Sequence, residues 1–384
     1  MVKLSYVFVT DYSLVHSITG PAIAHLLRKR SQESDLELIA ARMFEVDRDL
    51  MRDLRISFKG EKRLGMEKRI HNRFDRYMIQ EYEETDKRRR AMLLVFKGDN
   101  AVDEVRSLVG SPRTIGSVAG GTLREKYGHF KQDAKGRIIA FEPVVLIPFD
   151  EKIAERGIRL FSDYSQDHPG VLDNLIDWNH EIRVINQERG MLDNYLADLA
   201  RHLERPVSRE ELTQNIQRAV FMVKPPVMSQ HPHFVGEFLA YLAGAGRKIV
   251  GVNYVNMTVE QFNEFYGHLP KGPLKDKPEE YAKLCDHFTG HKPEDPLYLK
   301  TEDAEHACLP FVIEGPFIVP VVRKIIGPTN PDNWRPGQIR HDYARSIDQN
   351  AIHGTDDPKN FERERGILGF DQSPLPELVN AHYK

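Results

Sequence analysis

Cysteine is nearly absent from this chain: two in 384 residues, Cys285 and Cys308. Two cannot build a disulfide framework, so the chain has to hold itself together by burial. Long apolar runs are missing too. No stretch approaches the roughly 20 residues of a membrane span, and the opening MVKLSYVFVTDYS is broken by Asp11 before a secretory core can form. Nor is there an excess of positive charge: 54 Lys and Arg against 57 Asp and Glu give a net charge of −3 and a pI near 6.6. Nucleic acid and anionic membrane surfaces, whose hold depends on a basic face, are therefore not expected as partners. Together these absences predict a reducing, cytoplasmic setting without a membrane. The length predicts about two or three domains.

What is present is a repeat. FKGDNAVDEVRSLVG (Phe96 to Gly110) answers IEGPFIVPVVRKIIG (Ile313 to Gly327), with Gly98, Arg106 and Gly110 at the spacing of Gly315, Arg323 and Gly327. Downstream, GTLREKYG (Gly121 to Gly128) answers GQIRHDY (Gly337 to Tyr343) and sets Arg124 opposite Arg340. Upstream, SYVFVT (Ser5 to Thr10) answers RAVFMVK (Arg218 to Lys224). The offset stays at about 214 to 217 residues across all three, which predicts a duplicated domain.

In the second copy the periodicity predicts a buried strand at 219–223 and a helix on Phe234, Phe238, Leu239 and Leu242 that closes at Gly244 and Gly246. A strand at 248–256 follows, then a helix from a Thr258 and Gln261 capping box to Tyr266. Next come a strand from Ala307 to Ile313, a helix opened by Pro316 that carries Arg323, and a last strand within 345–352. Alternation of this kind predicts an α+β fold, a split βαβ, ferredoxin-like α/β sandwich in each copy: a four-stranded antiparallel sheet with helices on one face. Between the copies, apolar residues step by four and three from Val171 to Leu203, with Arg189 in the one polar seam position. This predicts a long amphipathic helix, or two hinged at Gly190, acting as an oligomerisation spacer or as a connector covering domain surface. Ser208 with Glu211 caps the next helix. The expected boundaries are 1–160 for the first domain, 161–215 for the helical segment and 216–384 for the second domain.

The chemistry concentrates in NAIHGTDD, Asn350 to Asp357. Asp357 as N-cap, followed by Pro358, fixes where the loop stops and sets His353 on a short lead-in. Eleven residues further on, Glu364 can take a proton from one ring nitrogen and leave the other as a nucleophile. From Ala219 to about Gly366 the chain resembles a nucleoside diphosphate kinase. VKPP carries Lys224 where that family has a KPD-type motif, and Arg323 followed by GPTNP (Gly327 to Pro331) resembles its phosphate arginine followed by GxTNP. PGQIRHD (Pro336 to Asp342) resembles its PGTIRGD, and NAIHGTDD its NIIHGSDS.

The resemblance implies that His353 accepts the γ-phosphoryl group of a nucleoside triphosphate and hands it to a nucleoside diphosphate in ping-pong fashion. Arg323, Thr329 and Arg340 would hold the phosphates, and Lys224 and Asn350 the ribose and phosphate region. Glu364 would orient the imidazole, Tyr266 would pack beside Lys224 and His353, and Thr355 replaces the supporting serine. Mg²⁺ would arrive on the nucleotide phosphates without dedicated protein ligands, with Asp356 as an outer-shell helper. The family assembles from back-to-back dimers, which implies a homo-oligomer in which the two copies form a pseudo-dimer within one chain. Independently of the family, in-line phosphoryl transfer needs positioning and neutralised equatorial oxygens, which two arginines and a lysine around one nucleophile supply. Two other readings stay open: a non-enzymatic nucleotide-binding sensor or scaffold, and a kinase that passes the phosphoryl group to another acceptor.

The first copy breaks the pattern. Arg106 and Arg124 remain, but Thr10 stands for Lys224, Pro112 for Thr329, and Ile147 or a neighbour for His353. This predicts a domain that keeps the fold without the chemistry, serving as a structural partner or a regulatory nucleotide binder. Within the second copy, Pro226 replaces the expected aspartate, and the stretch from Tyr266 to Gly315 is about twenty residues longer than the family's. Phe288 and Tyr281 are the candidates there for stacking on a base. Cys285, His287, His291, His306 and Cys308 follow no zinc spacing and are read, with His231 and His233, as scattered polar residues. Lys87 to Arg90 is read as a solvated charge run.

Overall fold

The computed structural model describes residues 2–383 apart from 29–34, 59–73, 85–88, 113–114, 116–120, 133, 136–137, 188–189, 243, 245, 273 and 348. Two compact units form: Met1–Leu172 together with Gln372–Lys384, and Asp173–Asp371. Among the described residues no helix is long and apolar enough to cross a membrane.

In the first unit, β1 (Lys3–Val9), β2 (Glu37–Val46), β3 (Arg89–Gly98) and β4 (Val145–Leu146) form one antiparallel sheet in the order β2-β3-β1-β4. Helix α1 (Ala101–Val109) follows β3, and α2 (Glu151–Gln166) follows β4, its N-cap Asp150 accepting from the Ile153 N–H at 2.8 Å. Tyr6, Phe8, Phe44 and Phe161 meet in the core between sheet and α2, with ring centroids 5.3 to 5.5 Å apart around Phe161. All four are essentially inaccessible, each burial stabilising by about 2 kcal/mol.

The second unit opens with α3 (Trp178–Gln187) and α4 (Met191–Leu203), separated at Gly190, whose φ of 74° breaks the helix. A short helix, Arg209–Gln214, carries the Ser208 and Glu211 capping box. The sheet consists of β5 (Ile216–Val223), β6 (Lys248–Val252), β7 (Leu309–Pro316) and β8 (Ile352–Gly354), ordered β6-β7-β5-β8 and antiparallel throughout. Its helices are α5 (Phe234–Leu242), α6 (Val259–Tyr266), α7 (Pro278–Thr289), α8 (Ile318–Ile326), α9 (Ile339–Tyr343) and α10 (Phe361–Ile367). Ala219 to Val223 are all fully buried, as expected of a central strand covered on both faces.

Each sheet has the ferredoxin-like 4-1-3-2 order, and the two repeat one another in detail. The edge strand of each bulges at the same place, between Leu38 and Ala40 in β2 and between Ile249 and Gly251 in β6. The residue before the last strand has positive φ in both, Val144 at 67° and Ala351 at 63°. Arg124 donates to the carbonyls of Gly110 and Val145 at 2.9 and 3.1 Å, and Arg340 to those of Gly327 and Ile352 at 2.8 and 3.0 Å.

Four expectations are corrected. Pro316 ends β7 instead of opening a helix, because β7 stays paired to Ile216 and Phe317 turns the chain with φ at 52°. The last strand is only three residues, Ile352–Gly354, and shares only Ile352 with the expected range, because Ala351, with φ at 63°, turns the chain just before it. The end of the chain does not stay with the second sheet. Helix α11 (Leu375–His382) packs on α2, with Leu375 and Val379 in the first unit's core. Buried Arg42 donates to the Gln372 carbonyl at 2.9 Å, and the Ser165 hydroxyl donates to that of Ser373 at 2.6 Å. Likewise the segment expected to stand apart at 161–215 is divided: 161–172 group with the first unit and 173–215 with the second, where the Trp178 indole donates to Glu314 at 2.6 Å and Lys248 pairs with Glu181 at 2.6 Å.

Candidate active site

The strand β8 carries His353 opposite Met222 of β5, and the close approach of β8 to α8 depends on the next residue. A Cβ at Gly354 would lie 2.5 Å from Ile326 Cδ1 and 3.1 Å from Val322 Cγ1, so glycine lets the histidine strand sit this near the helix without moving those side chains. Asp357 caps a short 3-10 turn, Pro358–Asn360, by accepting from the Lys359 N–H, and α10 follows directly. The turn swings α10 back so that Glu364 faces the histidine.

His353 Nε2 and Glu364 Oε1 are 3.0 Å apart, with the carboxylate 2% and the imidazole 17% exposed. The other carboxylate oxygen accepts from the Thr355 hydroxyl at 2.5 Å, and that hydroxyl accepts from the Val220 N–H at 2.8 Å. Thr355 thus fixes Glu364 to the central strand. A carboxylate accepts only, so the imidazole proton lies on Nε2 and the lone pair on Nδ1. Phe265 and Tyr266 wall the ring at centroid distances of 4.9 and 6.1 Å, both edge to face.

Lys224, the N-cap of a Pro-initiated turn after β5, is buried, with its ammonium 5.5 Å from the Tyr266 ring centroid and 5.9 Å from that of Phe288. Ring faces offset part of the cost of burying that charge. The Tyr266 ring thus lies near both the ammonium and the imidazole. Its hydroxyl is buried without a partner among the described residues, and burial, then the nearby Cys308 and Glu364, hold its pKa well above the usual phenol value.

Arg340 is also buried, and Nη1 reaches the Thr329 hydroxyl at 3.2 Å besides the Gly327 carbonyl. Burial, reinforced by the charge of Arg323, lowers its pKa to about 10, which leaves it a cation at neutral pH. Arg323 sits half-buried on α8, its field felt by both Arg340 and Asp356. Burial disfavours the Asp356 carboxylate, but the Asn360 amide at 2.8 Å, with Arg323 and His353, keeps its pKa below the usual value. Asn350 donates to the Ile347 carbonyl at 2.8 Å, and its own carbonyl oxygen is buried with no partner among the described residues. His353, Glu364, Thr355, Lys224 and Tyr266 are therefore joined by direct contacts, Arg340 and Thr329 form a second pair, and Arg323 and Asp356 are linked to them through their fields.

A sequence model of the nucleoside diphosphate kinase family matches residues 217–373. The nucleoside diphosphate kinase of Symbiobacterium thermophilum is 32% identical over 149 residues, 39% of this chain and 84% of that protein. The chain belongs to the nucleoside diphosphate kinase family. The Moorella thermoacetica and Halorhodospira halophila members are 32% and 30% identical over 149 residues, covering 91% and 89% of their lengths and 39% of this chain. The family match begins well inside the second unit, so α3 and α4 lie outside it.

Neither aromatic suggested by sequence is free to stack on a base in this family member. Phe288 is fully buried beneath Tyr266, and Tyr281 packs on Phe262 and donates to Asn263 at 3.0 Å. Sequence reasoning missed Phe265, which only its place one residue before Tyr266 could have suggested. It also missed His268, whose pKa is lowered by burial and by Arg363 and which feels the charges of Asp356 and His353. Cys285 and Cys308 are both buried, the first against Thr289 and the second donating to the Val255 carbonyl at 3.4 Å, while His306 contacts the His287 carbonyl at 3.2 Å. Arg89 pairs with Glu81, whereas Lys87 and Arg88 lie outside the described residues.

At the matching place in the first unit the register gives Leu146, not Ile147, as the counterpart of His353. Val9 pairs with Val145 as Val223 pairs with Ile352, so the next residues, Leu146 and His353, correspond. Eleven residues beyond Leu146 stands Gly157, where even a Cβ would come 2.5 Å from the Tyr6 ring. Thr10 donates to the Val144 carbonyl at 2.9 Å and lies 3.5 Å from Glu142, which Tyr77 and the Val144 N–H also contact, at 3.4 and 2.9 Å.

Proposed function

We propose that this protein moves the γ-phosphoryl group of a nucleoside triphosphate to a nucleoside diphosphate through a phosphohistidine on Nδ1 of His353. The observation that carries this is the 3.0 Å bond between Nε2 and Glu364, which leaves Nδ1 as the only basic ring nitrogen. In the first half-reaction Nδ1 attacks the γ-phosphorus as the bond to the β,γ-bridging oxygen breaks, and the diphosphate departs. The imidazolium that forms keeps its Nε2 proton toward Glu364. In the second half-reaction a β-phosphate oxygen of the acceptor diphosphate attacks the phosphorus and Nδ1 leaves.

Arg323, Arg340 and Thr329 would receive the phosphates, and Lys224 the charge developing at the transferred group. The carbonyl oxygen of Asn350, unpaired among the described residues, is a buried acceptor suited to a ribose hydroxyl, and the similarly unpaired Tyr266 hydroxyl is a buried donor. Mg²⁺ would arrive with the nucleotide and neutralise phosphate charge, and no protein residue need hold it directly. The exposed Asp356, held ionised near Arg323 and His353, suits a water-mediated contact to that ion. The first unit keeps the sheet and loses the nucleophile, the orienting carboxylate and the lysine, so its proposed role is structural. Steady-state transfer from ATP to GDP with Mg²⁺ tests the reading: parallel double-reciprocal lines are expected, and intersecting lines would rule out a covalent intermediate.

A further inference from the structure

Arg365 stands beside Glu364 on α10, a helix of only seven residues, too short to hold its own shape in water. Its guanidinium is 13% exposed and is used in two directions. Nη1 donates to Asp173 Oδ2 at 3.1 Å, and Nη2 and Nε donate to Asp371 Oδ1 at 2.6 and 3.1 Å. These two aspartates are the first and last residues of the second unit, the points at which the chain enters it from Leu172 and leaves it for Gln372. Asp173 is shared with Arg218 of β5, whose Nε donates to buried Glu314 at 2.7 Å, and Glu314 in turn accepts from Trp178. Asp173 and Trp178 lie outside the residues matched by the family model, so this arrangement is a property of the present chain.

We infer that Arg365 is a positioning residue: by clamping both chain crossings to α10 it holds Glu364 at hydrogen-bond distance from His353. This rests on the proposed role of Glu364 in orienting the histidine. A two-turn helix released at one side can tilt, and a tilt of about 1 Å would break a 3.0 Å bond whose other anchor, Thr355, is fixed to β5.

The test uses the full chain with Arg365→Gln and Arg365→Lys, with Asp371→Asn as a milder change should the glutamine variant not fold. Three readouts are taken: thermal midpoint, kcat and KM for ATP-to-GDP transfer, and the ¹⁵N NMR shifts of the His353 ring, which report its tautomer and are assigned by their loss in His353→Gln. Expected are a fall of roughly ten- to a hundredfold in kcat with KM within about twofold, and partial rescue by lysine, which can reach one carboxylate. The population of the Nε2–H tautomer should also fall, because a retreating carboxylate no longer accepts that proton. Unchanged kcat in folded Arg365→Gln, or a lower kcat with the His353 ring shifts unmoved, would overturn the inference. If the wild type carries out no transfer, the proposed function fails, and the His353 ring shifts still decide the role of Arg365.

Discussion

Replacing Glu142 by Gln should stabilise the protein above pH 7 and change little at pH 5. Glu142 is 8% exposed and accepts from the Val144 N–H, with the Tyr77 and Thr10 hydroxyls also near. Burial pushes its carboxyl up from 4.5 to about 7, against the lowering effect of those bonds and with the charge of Glu81 adding to the rise. A carboxyl whose folded pKa is raised favours the folded state while protonated, and that contribution is lost as pH rises from the unfolded value through the folded one. The difference between 4.5 and about 7 amounts to about 3 kcal/mol lost by pH 8, against under about 1 kcal/mol at pH 5. Glutamine keeps the shape and the acceptor oxygen without the charge. Calorimetry of the full chain should therefore show a rise of about 5–10 °C in the first unit's transition at pH 8 and almost none at pH 5. Equal shifts at both pH values, or destabilisation at pH 8, would refute the reasoning.

Thr355→Val keeps the volume but strands the Val220 N–H and one oxygen of Glu364, both buried; a loss of about 3 kcal/mol in the second unit's unfolding free energy and a clear fall in kcat are expected from denaturant titration and transfer assays. Activity at the wild-type level would show that the hydroxyl does not hold the carboxylate. In a His353→Ala background, Leu146→His should yield no phosphorylated protein by acid-labile labelling, since Gly157 offers no carboxylate at the matching place. Label on the introduced histidine would mean that a lone imidazole on this strand suffices.

The repeat made most of the fold legible. One offset between Gly98, Arg106, Gly110 and their partners already implied two sheets of one topology, and the capping boxes at Ser208 and Thr258 gave helix starts directly. What the sequence concealed were departures decided by long-range packing. Nothing local says that Leu375 and Val379 complete the first unit's core, or that β7 runs through Pro316 because Ile216 is paired there. The site followed the same division. His353, Glu364 and Lys224 were visible from spacing, whereas Phe265 and the clamp on Arg365 arise from contacts between residues far apart in the chain. Arg340 shows why motif residues can carry two jobs. Its twin Arg124 makes the same pair of backbone bonds in the first unit, where Leu146 matches His353, so part of its role is architectural in both.

The central claim is most directly tested by mixing the full chain with γ-labelled ATP and Mg²⁺. The account predicts about one acid-labile, alkali-stable phosphoryl group per chain, attached to Nδ1 of His353, transferred fully to added GDP and absent from His353→Ala. Label that persists in folded His353→Ala, or label on the wild type that does not chase onto GDP, would contradict it.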